Sequence, residues 1–250
     1  MLSRFLNFFY APLAPAVFIV AAIPLCLLVI AMPTLALRRA VGRYGVRLAL
    51  LCIGVPLRVR GTEHLPAGPC LVVSNHASYL DGLVLTAALP ARFTFVVQDG
   101  AATWPLIGLT IRRMGVTFVN RSNAREGALQ TRALIRRVQD GESLAIFAEG
   151  TFKPQSGLLP FKNGAFMIAV RAGVPVAPAA ILGSRRLWGG GRRLMRWSPL
   201  TIVVRPPLSP IGPHKEAETH LRDGVRAEVL ALCGEPDLAR GAAAESSDGA

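Results

Sequence analysis

The sequence is poor in lysine. Only Lys153, Lys162 and Lys215 accompany 25 arginines among its 250 residues. Cysteine is sparse too. Cys26, Cys52, Cys70 and Cys233 are scattered without a Cys-x-x-Cys pair, which indicates neither a disulfide framework nor a zinc site. They read as small buried hydrophobes of a reducing compartment. Acidic residues number 15 against 28 basic ones, a net charge of +13. No zinc, helix-turn-helix or aromatic RNA-binding signature accompanies that charge, so anionic lipid or an acidic carrier protein fits it better than nucleic acid. Internal repeats are absent. What the chain has in abundance is apolar sequence: 52% hydrophobic residues and a mean hydropathy of +0.42, high for a soluble enzyme.

That apolarity is concentrated at the start. From Phe5 to Leu37 there is no charged residue, and Ala16 to Met32 is apolar throughout. About 20 apolar residues cross a bilayer as a helix, so Ala16 to Leu37 is long enough, with Pro24 and Pro33 as expected kinks. A cleaved signal peptide fits less well, because the run is long, lacks a small-x-small cleavage site and meets Arg38-Arg39 directly. Beyond it, Arg39, Arg43 and Arg47 recur at four-residue spacing on one helical face, with Tyr44, Leu48 and Leu51 on another. This basic amphipathic pattern predicts contact with a membrane surface, the alternative being a solvated face. Residues 1–60 hold seven arginines and no acid. The positive-inside rule then places the following domain in the cytoplasm, at the inner membrane of a bacterium. The expected organisation is a membrane-anchoring helical segment over 1–60, a catalytic domain over 61–234 and a flexible tail over 235–250.

Past Arg60 short strands alternate with helices. That pattern predicts a single α/β domain with a mixed, largely parallel sheet flanked by helices. Expected strands are Cys70 to Ser74, Phe93 to Val97, Val116 to Val119, Ser143 to Phe147, Val176 to Leu182 and Thr201 to Val204. Expected helices are Asp81 to Leu89, Trp104 to Met114, Ala124 to Gln139, Gly164 to Ala172 and Lys215 to Leu232. Asn123 and Glu126 form a capping box for the third. Gly183 to Arg193 reads as a glycine-flexed basic loop that could meet a membrane, the donor's pantetheine arm or an acidic acyl carrier protein.

Chemistry is suggested first by Asn75-His-Ala-Ser-Tyr-Leu-Asp81, which follows an apolar strand. An imidazole near its working pKa can take a proton from a hydroxyl. A carboxylate five residues on, folded back across a strand-to-helix turn, can fix its tautomer and stabilise the imidazolium. Ser74 and Ser78 lie close by, but neither sits in a nucleophile-elbow motif. Three further clusters end later strands: Gly115-Val-Thr-Phe-Val-Asn-Arg121, Phe147-Ala-Glu-Gly-Thr151 and Leu159-Pro-Phe-Lys-Asn-Gly164, followed by Val174-Pro-Val-Ala-Pro178. In this order, with His-x4-Asp first, the chain resembles the glycerolipid acyltransferase superfamily, and within it the bacterial lysophosphatidic acid acyltransferases, over roughly residues 65–210.

The resemblance implies that His76 is the general base and Asp81 its orienting partner, like the second and third members of a serine-protease triad, with the acceptor's hydroxyl replacing the serine. It implies substrate binding by Gly115, Arg121, Glu149, Gly150, Thr151 and Lys162. Arg121 would fork onto the acceptor's phosphate, Lys162 would be a second phosphate contact, Glu149 would accept from glycerol hydroxyls, and N–H groups of the Gly150 turn could serve an oxyanion. The implied reaction is transfer of a fatty acyl chain from acyl-CoA or acyl carrier protein to lysophosphatidic acid, with no metal or cofactor. Two positions depart from the family's Phe-Pro-Glu-Gly-Thr-Arg: Ala148 replaces the proline and Phe152 the arginine. The open alternatives are another acceptor, such as a lysophospholipid or lyso-ornithine lipid, a hydrolase in which His76 activates water, and a catalytically silent lipid-binding protein.

Overall fold

A computed structural model describes residues 2–119, 124–192 and 194–239. Two antiparallel helices open it, α1 (Leu2–Ala31) and α2 (Leu35–Cys52). The chain turns at Met32 to Thr34, where Pro33 cannot continue α1 and the Thr34 side chain caps α2 by accepting from Leu37 N–H. The apolar run therefore ends as a hairpin rather than as one kinked helix to Leu37. Pro12, Pro15 and Pro24 all remain inside α1. Gly45 lets α2 approach α1, because a Cβ there would collide with Leu25.

Seven strands follow: β1 (Leu57–Arg60), β2 (Leu71–Ser74), β3 (Phe93–Gln98), β4 (Thr117–Val119), β5 (Ser143–Phe147), β6 (Val176–Leu182) and β7 (Leu200–Val204). Their order across the sheet is β1-β7-β6-β2-β5-β3-β4, and only β6 with β7 is antiparallel. β2 is buried at every residue because helices cover both faces of the sheet. Val72 looks into one core with α1, α2 and α3 (Asp81–Ala88), while Leu71 and Val73 look into the other with α5 (Ala124–Gln139), α6 (Gly164–Ala172) and α8 (His214–Cys233). The remaining helices are α4 (Ile107–Arg113) and α7 (Ser184–Trp188). The mixed, largely parallel α/β sheet expected from the sequence is present.

Three differences have simple causes. The alternation Leu-Arg-Val-Arg makes residues 57–60 a half-buried edge strand, so they belong to the sheet and not to the helical segment. Ser184 to Trp188 forms a short helix inside the expected basic loop. Glu235 to Ala239 is tied down: Glu235 pairs with Arg185, Asp237 pairs with Arg226, and Leu238 N–H donates to Leu158. The rest of the expected tail, and Asn123 of the expected capping box, lie outside the described residues.

The arginine stripe of α2 turns inward. Arg47 donates to the Ala87 carbonyl at 2.7 Å and Arg43 to Ala88, both in the last turn of α3. Arg39 donates to Met114, Ala91 and Arg92 carbonyls. Cations there satisfy the open carbonyls and the negative end of the helix dipole. The outward face of α2 is instead apolar, with Tyr44, Leu48 and Leu51 exposed.

Candidate active site

β2, β3, β4, β5 and β6 run parallel, so their carboxyl ends share one edge, where open α/β sheets bind ligands. His76 leaves β2 at that edge. Its neighbour Asn75 is buried and fixes the exit: its amide donates to the Ile181 carbonyl at 3.0 Å and accepts from Ile181 N–H at 2.8 Å. Asn75 was not singled out in the sequence, although an amide adjoining a motif histidine was a usable signal.

The His76 and Asp81 side chains meet. Asp81 Oδ2 lies 2.9 Å from His76 Nδ1 and also accepts the N–H groups of Ala77 (2.6 Å) and Ser78 (2.8 Å). Asp81 is fully buried and is the first residue of α3, where the helix dipole favours a carboxylate. With Nδ1 committed to Asp81, Nε2 is the ring nitrogen left for substrate. The imidazole is one-fifth exposed, stacked on Phe147 at 4.2 Å and met by the edge of Phe152 at 4.6 Å. Tyr79 packs on Phe152 and Trp188, which extends this aromatic wall. Ser74 and Ser78 are buried, and their hydroxyls bond the Asn75 and Trp188 carbonyls. Both are structural.

Glu149 also meets the His76 segment, and each of its oxygens holds a backbone N–H. Oε1 accepts His76 N–H at 2.6 Å and Oε2 accepts Leu159 N–H at 2.8 Å. It clamps two motif segments together. Burial raises its pKa from 4.5 to about 7, against the lowering effect of those two hydrogen bonds. Gly150 has φ +76°, and its N–H is bonded to the Phe147 carbonyl, so that group is not an open oxyanion donor. The Lys162 side chain passes over Gly150, where a Cβ would touch its ammonium at 3.1 Å. Lys162 and Thr151 are exposed beside the cluster.

Gly115 is not brought here. It precedes β4 at the starting end of the sheet, three strands from β2. Its carbonyl accepts from Thr94 and Arg137, and its φ of +79° serves the turn out of α4. Arg121 lies outside the described residues.

The family model for Acyltransferase matches residues 56–182, just over half of the chain. The chain belongs to that family. It is 31% identical over 216 residues to the human 1-acyl-sn-glycerol-3-phosphate acyltransferase alpha, covering 83% of this chain and 76% of the human protein. A lyso-ornithine lipid O-acyltransferase of Rhizobium meliloti is 35% identical over 145 residues, 58% of this chain and 48% of that protein. The chain spans only 43 to 58% of the length of the first relatives it matches. Its fold is that of the 1-acyl-sn-glycerophosphate acyltransferase PlsC of Thermotoga maritima, with a TM-score of 0.73 at 22% identity, covering 92% of this chain and 97% of that one.

Proposed function

We propose that this acyltransferase moves a fatty acyl chain from acyl-CoA or acyl carrier protein to the free hydroxyl of lysophosphatidic acid, giving phosphatidic acid. The observation that carries the reading is the buried Asp81 carboxylate held on His76 Nδ1 at 2.9 Å. Nε2 takes the hydroxyl proton as the oxygen attacks the thioester carbonyl. Asp81 stabilises the imidazolium, which returns its proton to the departing thiolate as the tetrahedral intermediate collapses. No enzyme nucleophile enters, in keeping with the structural roles of Ser74 and Ser78. Lys162, and Arg121 after β4, supply charge for the acceptor's phosphate. The reaction consumes no metal or cofactor.

The site works at a membrane. Phe9–Ala31 is one helix long and apolar enough to cross a bilayer, with a mean hydropathy of 2.8. Because α1 reverses into α2, whose arginines grip the catalytic domain, the hairpin holds that domain against the cytoplasmic leaflet of the inner membrane. Acceptor and product then need not leave the bilayer.

A second acceptor is favoured by one feature. Phe152 stands where the family motif carries arginine, and its ring makes a T-shaped contact with His76. A lyso-ornithine lipid or lysophospholipid needs less cationic charge at that point than a phosphate monoester does.

The test is to incubate detergent-purified protein with labelled acyl-CoA or acyl carrier protein and a panel of lyso-lipids, beside His76→Ala. Wild type is expected to make phosphatidic acid, and His76→Ala to be slower by about 10² to 10⁴. Product from another lyso-lipid alone replaces the acceptor. Free fatty acid replaces transfer by hydrolysis, complete inactivity favours a lipid binder, and undiminished transfer by His76→Ala removes the mechanism.

A further inference from the structure

The segment Gly183 to Pro199 contains five arginines and no acidic residue. In the structure its described residues are a fixed surface element. Arg185 pairs with Glu235 and donates to the carbonyls of Lys153 and Gln155, while Ser78 bridges to Gly189 beside the catalytic loop. Gly190 packs on Phe152, and Met195 and Ser198 are buried as plugs. Between and beside these anchors, Arg186, Arg192, Leu194, Arg196 and Trp197 point outward. Leu194 is 54% exposed and Trp197 45% exposed.

Trp197 also locates this element. Its indole N–H donates to the Gly54 carbonyl at 2.8 Å, just past the end of α2. The outward face of α2 there is apolar, with Leu48 61% and Leu51 69% exposed. Exposed Trp197 is thus joined to the end of the apolar hairpin, and exposed Leu194, Arg192 and Arg196 lie within five residues of it in the chain.

We infer that the Arg186 to Trp197 element is a second membrane contact, one that lays Leu194 and Trp197 into the interface of an anionic leaflet while Arg186, Arg192 and Arg196 meet lipid phosphates. The inference rests on the membrane reading above. An aromatic ring beside guanidinium groups suits the headgroup level, with the ring in the acyl boundary and the cations on anionic headgroups. An acidic carrier protein would satisfy the arginines but would leave unexplained the exposed Leu194 and an exposed Trp197 anchored at the end of the apolar hairpin. Through Ser78, Gly189 and Gly190 this contact would seat the membrane surface beside His76, where a lipid acceptor must arrive.

The test uses the full chain mixed with neutral phosphatidylcholine vesicles, and with vesicles containing about one third phosphatidylglycerol, each carrying lipid brominated near the headgroup. Wild type is expected to float with both and to show bromine quenching of tryptophan emission, with a component that Trp197→Phe removes. The triple variant R186Q/R192Q/R196Q is expected to lose affinity for the anionic vesicles on the order of 100-fold and to keep its affinity for neutral ones. Its unchanged transfer rate on detergent-dispersed acceptor would show that it is folded. Equal quenching in wild type and Trp197→Phe, or an unchanged anionic preference in the triple variant, overturns the inference and leaves the hairpin reading standing. Failure of wild type to float overturns both. Unquenched Trp197 with tight binding of acyl carrier protein, lost in the triple variant, overturns it in favour of the protein partner.

Discussion

Two buried carboxylates flank His76, and they hold it in different ways. Asp81 gathers three donors on one oxygen, the imidazole and two backbone N–H groups, at the amino end of α3. Its other oxygen is buried with no hydrogen-bond partner among the described residues. Glu149 takes one backbone N–H on each oxygen, sits on no helix terminus and has its pKa raised by burial to about 7. Asp81 touches the ring, and Glu149 touches only the backbone that carries it. The first is therefore placed to act on charge that develops on the imidazole, whereas the second can act only through position.

The largest expected effect separates the two roles. Asp81→Asn keeps the shape but offers an amide to a ring that needs an anion, so kcat should fall by about 10³ to 10⁴. A loss under tenfold, measured on the preferred acceptor, would make Asp81 another positioning residue. Next comes pH. The folded-state pKa of Glu149 lies above its ordinary value of 4.5, so between roughly 4.5 and 7 the folded form holds a proton that the unfolded chain releases. Its contribution to stability is fully present below about 4.5 and is lost as pH rises through about 7, a change of up to about 3 kcal/mol. Denaturant titrations of wild type and Glu149→Gln from pH 5 to 8 should show a pH-dependent difference of that sign; parallel curves would break the comparison.

Glu149→Gln should also slow the reaction. Glutamine has one acceptor for two N–H donors, and the loosened His76 backbone should lower kcat by about 10- to 100-fold with KM for the acceptor little changed. A rise in KM alone would return Glu149 to the acceptor site. The smallest effect comes from the far end of α3. Arg47→Ala removes a charged donor from the Ala87 carbonyl and should cost about 1 to 2 kcal/mol in stability, with kcat nearly unchanged because Asp81 lies at the opposite end of the same helix. A large loss of kcat would mean that the α2 contact positions Asp81.

β5, β6 and α6 have the ends expected from the sequence, because apolar runs bounded by turn residues leave little choice of register, and α5 stops where expected, at Gln139. β1 was hidden in a short alternation after a long apolar region, and α7 in a glycine-rich basic stretch whose helix depends on anchors far away in sequence. The His76 and Asp81 pairing was legible because five residues across a strand-to-helix turn bring the two side chains together locally. The placing of Gly115 was not, since offset along the chain says nothing of which end of a sheet a turn occupies.

By itself the sequence determined the alternating α/β pattern, the apolar start of the chain and the histidine with its carboxylate, all set by local spacing and hydrophobic periodicity. Only the tertiary structure decided where the arginines of α2 point, that the apolar run turns back as a hairpin, and that Glu149 is occupied by two backbone N–H groups. The arginine and Glu149 outcomes depend on partners 40 to 75 residues away, such as Ala87 for Arg47, Met114 for Arg39 and His76 for Glu149. A buried carbonyl or N–H must find a partner wherever the packed chain supplies one, and one-dimensional spacing does not record which.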